Sequence, residues 1–382
     1  MPNRRIIYIS TVRYPTEKAY GVTIKYTMKA LDDLGFQTLV IDPNMLVTMQ
    51  NAKIRNRILL SLLKKRELKT SLSRIIFNLR RLLIATSVNS TIDLDNTVLW
   101  TRDPIVALTQ NIMQKPHHCV IEIHQTPHFL DKCLLKILNQ FDNVTLAPIS
   151  QYLVDILKKS KLQFNFNSIL QCSMGVSNEF LNARSNVKPI VANSVSIAYV
   201  GSLKSNNIDQ GLFNITKYII AINKSLNRNI FQLRLYGISI IEENEICNAF
   251  KNAYDEKIIV CERRQSQTDL IPKLLNCDIF LLPYPEGEFF NARFPLKAME
   301  YAALKRPILI TNTPSHRNIF HDDEVWFFEF SSYTNFQEVL FRIIKDKEIA
   351  SEKIIKAFSK AKKYTYVNRV EKIVKKFMTS TV

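Results

Sequence analysis

No apolar run in the chain reaches the roughly 18 residues needed to span a bilayer. The opening, MPNRRIIYISTV, has too short an apolar stretch and no small-residue cleavage site for a secretory signal, so a cytoplasmic protein is expected. Six cysteines stand singly at Cys119, Cys133, Cys172, Cys247, Cys261 and Cys277. Without a C-x-x-C pair they form neither a zinc nor a thioredoxin-type site, and they are expected to be reduced, mostly buried thiols. There is no H-E-x-x-H, which argues against a zinc protease, and no G-x-G-x-x-G or G-x-x-x-x-G-K-[ST], which counts against a dinucleotide enzyme or a P-loop ATPase. Internal repeats and low-complexity segments are missing too.

What is present is an ordinary globular composition, 46% hydrophobic and 23% charged over 382 residues, with too much apolar surface for a disordered chain. That length exceeds what one core usually supports, so two domains are expected. Acids are the minority: 34 Asp and Glu stand against 52 Lys and Arg, and the net charge of +18 calls for an anionic partner. Between Asn51 and Arg81 there are ten basic residues and one acid, Glu67. Leu68, Leu72, Ile75, Ile76, Leu79 and Leu83 fall there at helical spacing, so the segment reads as a basic amphipathic helix. Its apolar face either packs on its own domain or docks on an anionic membrane surface, with Lys64, Lys65, Arg66 and Lys69 as the membrane or acceptor surface. Nucleic acid is the weakest reading of the charge, because no helix-turn-helix, RNP or zinc module occurs and aromatics are not interleaved with the basic segment.

Along the chain, strand and helix patterns alternate. RIIYIS, FQTLVID, VLW (98–100), CVIEIH (119–124) and VTLAPIS (144–150) read as strands separated by helical stretches, with Thr11 to Gly21 as a polar connection. After a polar stretch at 182–194 the pattern begins afresh with SIAYVGSL, FQLRLYG, KIIVCE, DIFLLPY and PILIT. Such alternation marks helix-covered parallel sheets, so two doubly wound α/β domains in tandem are expected: 1–180, a linker at 181–195, 196–362, and a closing helix at 363–382. Ligands of such sheets bind at the carboxyl ends of the strands.

The stretch RFPLKAMEYAALKRPILIT (293–311) combines chemistry with this frame. Pro295 suits a first helical position, where its missing N–H costs nothing. The N–H groups of Leu296 and Lys297, the helix dipole and the lysine ammonium would then form an anion site. Glu300 follows Leu296 by four residues, on the same face and about 6 Å further along at 1.5 Å rise per residue. That is the reach from a diphosphate to the ribose of one nucleotide, whose hydroxyls a carboxylate accepts well. A capped core helix with Lys297 solvated and Glu300 in a local ion pair is the plainer alternative.

The same stretch resembles the nucleotide-sugar signature of glycosyltransferase family 4 and related GT-B enzymes, in which P-L-K-x-x-E-Y-x-A precedes a P-I-L-I strand. RYPTEKAYGVTIKYTMKALDDLGFQTLVI resembles their amino-terminal loop and helix, LWTRDPIVAL with CVIEIH their middle strands, YVGSL the first strand of the donor domain, and AKKYTYVNRVEKIVKKF their closing helices, with Tyr366 where tryptophan is common. The resemblance implies a GT-B fold, two Rossmann-like domains facing across a cleft, an acceptor-binding domain first and a nucleotide-sugar-binding domain second, and a last helix returning to the first domain. It implies retaining transfer of a sugar from a nucleoside diphosphate-sugar to a glycan or lipid-linked acceptor in bacterial surface polysaccharide synthesis, with no metal or other cofactor, no nucleic acid partner, and a place in the cytoplasm, peripheral on the membrane's inner face.

By the same resemblance Glu300 binds ribose, and Gly21 lets the backbone approach the donor phosphate. Gly201, Ser202, Lys204, Arg293, Pro295, Leu296 and Lys297 fall in the nucleotide-sugar site, and His124 with Glu122 faces the donor sugar or the acceptor, with His128 a weaker candidate. Two departures stand out. The first glutamate of the family's E-x7-E element is replaced by Ala292, leaving Glu286, Glu288 or Asn291 to hold the sugar. Cations that neutralise the leaving diphosphate are replaced by Ser202 and Gln210, leaving Lys204, Arg293 and Lys297, or more distantly Arg263 and Arg264. Those losses keep open a catalytically weak nucleotide-sugar-binding protein. Arg102 and Asp103, at a strand's carboxyl end, read either as site residues or as a surface ion pair.

Overall fold

The structure, a computed structural model, describes residues 5–16, 19–48, 71–89, 92–187, 190–205 and 207–379. Lys64, Lys65, Arg66 and Lys69 lie outside them. The chain divides into two compact units, unit 1 comprising Met1–Ser173 with Tyr366–Val382 and unit 2 comprising Met174–Thr365. The expected linker at 181–195 belongs to unit 2, and for a physical reason. The Arg306 guanidinium donates to the Asn186 carbonyl at 2.8 Å and Lys305 Nζ to the Ser185 carbonyl at 2.9 Å, which fixes the segment against its own domain.

Unit 1 holds a parallel sheet of β1 (Arg5–Ile9), β2 (Gln37–Ile41), β3 (Val98–Thr101), β4 (His118–Ile123) and β5 (Val144–Pro148), in the order β2-β1-β3-β4-β5. Every residue of β3, β4 and β5 is buried, as near-continuous apolar runs are when helices cover both faces. The connection reverses between β1 and β3, the switch point at which doubly wound sheets open a crevice. The helix Tyr366–Thr379 belongs to this unit's core. Tyr366, Val370, Ile373, Val374 and Phe377 share one stripe and pack among Ile6, Tyr26, Val98 and Trp100, with Tyr366 stacked on Tyr26 at 5.3 Å.

In unit 2, β6 (Val195–Val200), β9 (Phe231–Tyr236), β10 (Ile259–Glu262), β11 (Ile279–Leu282), β12 (Ile308–Thr311) and β13 (Trp326–Phe328) make a second parallel sheet, ordered β10-β9-β6-β11-β12-β13. A two-stranded hairpin, β7 (Lys204–Ser205) with β8 (Ile208–Asp209), follows β6. The switch point of this sheet lies between β6 and β11, so the loops after these two strands meet there.

Of the apolar face expected over 68–83, Leu68 lies outside the described residues, while on the helix Ser71–Asn89 Ile76 and Leu83 are half-buried and Leu79 is exposed. The described buried residues of this helix are Arg81, Ile84, Ala85, Ser87 and Val88, while Phe77, Leu79 and Leu82 are exposed. Arg81, counted as part of a basic surface, is buried between two carboxylates. Its Nε donates to Asp103 Oδ2 at 2.7 Å and its Nη2 to Asp131 Oδ1 at 2.8 Å. Arg102 and Asp103 therefore do not pair with each other. Asp103 caps the helix Pro104–Met113, accepting from the N–H groups of Ile105 and Val106 with Pro104 in the first turn. None of the described helices is long and apolar enough to cross a membrane.

Candidate functional site

In unit 1 a cavity of about 350 Å³ opens at the carboxyl ends of β1, β3 and β4, at the switch point, with Ser10, Tyr20, Arg102, Asp103, His124 and Asp131 in its wall. Glu122 lies behind it with 0% side-chain exposure, and four donors occupy its two oxygens. Trp100 Nε1 at 2.9 Å and Arg369 Nη2 reach Oε1, while Arg102 Nε at 2.9 Å and His124 Nε2 at 2.8 Å reach Oε2. Burial alone would raise this carboxyl, but Arg369 and Arg102, followed by His124, outweigh it and hold it well below the usual range. Glu122, expected as a catalytic partner, thus has both oxygens engaged by protein donors. Burial, then the Arg102 charge, lowers His124 to about 4 against the pull of Glu122, so the imidazole is neutral at pH 7. His128 is exposed and precedes the helix Phe129–Leu138 without capping it.

Gly21 lies inside the helix Ala19–Asp33 rather than in the loop before it. A side chain there would meet the Thr16 carbonyl oxygen at 2.3 Å, so the close approach that demands glycine is made by the chain itself.

In unit 2 the predicted residues gather at the β6/β11 switch point. Lys297 Nζ lies 5.0 Å from the centroid of the Tyr199 ring and against Gly201, whose φ of +144° and missing side chain admit it: a Cβ there would stand 2.2 Å from the ammonium. Arg293 stacks on Phe289 at 3.8 Å and donates from Nη2 to Ser205 Oγ at 3.1 Å. Burial lowers its pKa, and among the described residues neither it nor Lys297 forms a salt bridge, although the Lys297 charge reaches Glu300. Glu300 is half-buried and accepts no hydrogen bond from a described residue. Burial pushes its carboxyl up to about 7, with Lys297 acting in the opposite direction.

The helix start differs from expectation. Pro295, at φ −77° and ψ 62°, makes an inverse γ-turn and precedes the helix Leu296–Ala303 instead of opening it. The turn draws the Leu296 N–H back to the Phe294 carbonyl at 2.8 Å, and the Ala298 N–H bonds to the Pro295 carbonyl at 3.0 Å. Of the first three N–H groups, only that of Lys297 is left for an anion.

Other candidates fall outside this cluster or are already engaged. Lys204 is in an exposed ion pair with Glu245 at 2.7 Å, Arg263 pairs with Glu243, and Arg264 is exposed. Ser202 and Gln210 form a neutral network in which Tyr199 Oη donates to Gln210 Oε1 at 3.0 Å and Gln210 Nε2 to Ser202 Oγ at 3.3 Å. Glu286 and Glu288 are exposed, Ala292 is buried, and Asn291 has a buried Oδ1 with no hydrogen-bond donor among the described residues. Among the described residues no group of three or more His, Cys, Asp or Glu could hold a metal. All six cysteines are free thiols.

Sequence reasoning missed Arg369 and Arg81. The signal was available in both cases as a single cation on the apolar stripe of a helix: Arg369 beside Tyr366, Val370 and Ile373, and Arg81 beside Ile84, Ala85 and Val88.

Residues 194–346, most of unit 2, match the family model described as Glycosyl transferases group 1, and this region indicates a glycosyltransferase. A search of curated proteins finds no match. Among solved structures, a glycosyltransferase from Rickettsia africae is similar over 100% of this chain and 99% of its own, with a TM-score of 0.69 and 15% identity. Anabaena HepE, in complex with UDP and glucose, is similar over 100% of both chains, with a TM-score of 0.63 and 10% identity. Against a mutant of S. aureus TarM in complex with fondaparinux, alpha-GlcNAc-glycerol and UDP, the chain aligns over 78% of its length but spans 59% of that protein, with a TM-score of 0.59 and 12% identity. At these identities the likenesses establish the fold, an α/β architecture of two doubly wound domains.

Proposed function

We propose that this chain is a GT-B enzyme that transfers a sugar from a nucleoside diphosphate-sugar to a hydroxyl of a glycan or lipid-linked acceptor, with retention at the anomeric carbon, in surface polysaccharide synthesis. One observation carries the reading: among the described residues Glu300, half-buried, accepts no hydrogen bond, and Lys297, one turn before it, feels that carboxylate but closes no salt bridge with it or any other acid. Each lacks what the other end of a nucleotide supplies, hydroxyls for the carboxylate and phosphate for the ammonium. As the glycosidic bond breaks, charge grows on the departing diphosphate, and the Lys297 ammonium, its N–H and the Arg293 guanidinium are aimed where that charge develops. In unit 1, His124 presents a neutral ring to a sugar hydroxyl, and Arg102 stands beside it. HepE, which binds UDP and glucose, supports this donor class by likeness of fold.

The neutral network of Ser202, Gln210 and Tyr199 favours a second reading, a nucleotide-sugar-binding protein with weak turnover. A thermal-shift screen of UDP, GDP, CMP and dTDP and their sugars tests both, since a ligand bound by the folded state alone raises apparent stability. A hit followed by acceptor-dependent release of the nucleoside diphosphate supports the enzyme. A hit without release supports the binding protein, and no shift with any nucleotide counts against both.

A further inference from the structure

The buried carboxylate behind the unit 1 cavity is held from two sides, and one holder comes from the far end of the sequence. Arg369, 4% exposed on the helix Tyr366–Thr379, donates from Nη2 to Glu122 Oε1 and from Nη1 to Thr27 Oγ1 at 3.1 Å. Its backbone carbonyl accepts from Cys172 Sγ at 3.4 Å. Trp100 Nε1 shares Oε1, so the carboxylate cannot turn without breaking several buried bonds at once. Its other oxygen is thereby aimed at His124 Nε2, 2.8 Å away. An ionised carboxylate only accepts, so Nε2 carries the proton and Nδ1 of the neutral ring has a free lone pair. Nδ1 has no partner among the described residues, and the side chain is 22% exposed in the cavity wall.

We propose that Arg369 is a positioning residue for His124: by pinning Glu122 it fixes the imidazole as the Nε2–H tautomer and keeps Nδ1 as the acceptor for a substrate hydroxyl in the cavity. The substrate half of this statement rests on the sugar-transfer reading; the tautomer half does not. The charged or titratable groups around the ring and its cavity are Glu122 on β4, Arg102 after β3, Tyr8 on β1, Tyr20 on the helix Ala19–Asp33, Arg369 itself, and the Asp103–Arg81–Asp131 ion cluster beside the cavity. Removing Arg369 leaves one guanidinium on Glu122 where there were two, and it deletes a positive charge that opposes protonation of His124.

The test is ¹⁵N NMR of the His124 ring in the ligand-free full chain, titrated from acid to pH 8.5, for the wild type, Arg369→Gln and Arg369→Lys. The wild type is expected to hold a single Nε2–H tautomer down to about pH 5. Arg369→Gln is expected to mix tautomers and to move the titration up toward the ordinary histidine range, with Arg369→Lys recovering most of the difference. In transfer assays the Gln variant should lose about tenfold in kcat/KM, the worth of one misplaced polar contact, with a larger loss at low pH. A purely structural role would lower activity equally at every pH. If Arg369→Gln folds and keeps one tautomer with an unshifted titration, the proposal is overturned. Should that variant not fold, Glu122→Gln reads the same link from its other end, and an unmixed tautomer there overturns it equally. Tautomer mixing as expected, beside a wild type that turns over no donor, supports the role of Arg369 and counts against sugar transfer.

Discussion

Glu300 faces opposing demands. An ionised carboxylate that is half-buried without donors is unfavourable in the ligand-free protein, yet the same group is what two ribose hydroxyls need. Its carboxyl is raised by burial from 4.5 to about 7, so between these values the folded chain keeps a proton that the unfolded chain has released. The stability linked to this group is therefore full in acid and lost as pH rises through about 7. Glu300→Gln is expected to raise the Tm of the ligand-free protein at pH 8 and to change it little near pH 5. At pH 8 the same variant should weaken binding of the preferred nucleotide about ten- to a hundredfold, from the ~1.5–3 kcal/mol of a hydrogen bond to a charged group. Differential scanning fluorimetry across pH and a nucleotide titration read both effects, and equal Tm changes at pH 5 and pH 8 would refute the burial argument. The place of Glu300 one turn into the helix was legible in the sequence because its spacing from Leu296 depends only on helix rise. What spacing could not show was the inverse γ-turn at Pro295, a choice of ψ that leaves the Lys297 N–H in place of a pair of donors.

At the scale of elements, strands were easier to read than helix faces. A buried strand is one apolar run, whereas the buried side of a helix is decided by its neighbour. The face expected over 68–83 followed the leucines, but the helix Ser71–Asn89 packs against Pro104–Met113 and turns Arg81 inward because Asp103 and Asp131 wait there. Asp103 serves two purposes, capping one helix with Oδ1 and holding Arg81 with Oδ2. A lost cap costs about 0.5–2 kcal/mol, while stripping one partner from a buried ion pair costs about 3–5 kcal/mol, so the ion pair dominates. Asp103→Ala is expected to destabilise unit 1 by about 3–5 kcal/mol in urea unfolding. A loss of no more than a cap's worth would mean that Asp131 alone satisfies Arg81. The strand β13, Trp326–Phe328, was missed because three residues carry too little pattern to be told from a loop.

For the whole molecule, the last helix decides which pieces of the chain can stand alone. Tyr366, Val370, Ile373 and Phe377 are buried in unit 1, and each such side chain contributes about 1.5–3 kcal/mol by leaving water. Four of them contribute about 6–12 kcal/mol, as much as the roughly 5–15 kcal/mol that keeps an ordinary domain folded. Losing them also removes Arg369 from Glu122, leaving a buried carboxylate short of one partner. A fragment ending at Ser173 should therefore not fold, and a peptide of residues 366–382 added in trans should restore a cooperative melt. Residues 174–365 keep Gly201, Arg293, Lys297 and Glu300 with every contact described for them, so that fragment should fold alone. It should also show the nucleotide-induced thermal shift of the full chain. The resemblance implied a closing helix that returns to the first domain, and Tyr366–Val382 does belong to unit 1, whereas the residue pattern alone does not name the sheet it covers. Circular dichroism melts of the two fragments, with and without the peptide, decide the matter: cooperative folding of 1–173 by itself would show that the terminal helix is an accessory rather than part of the core.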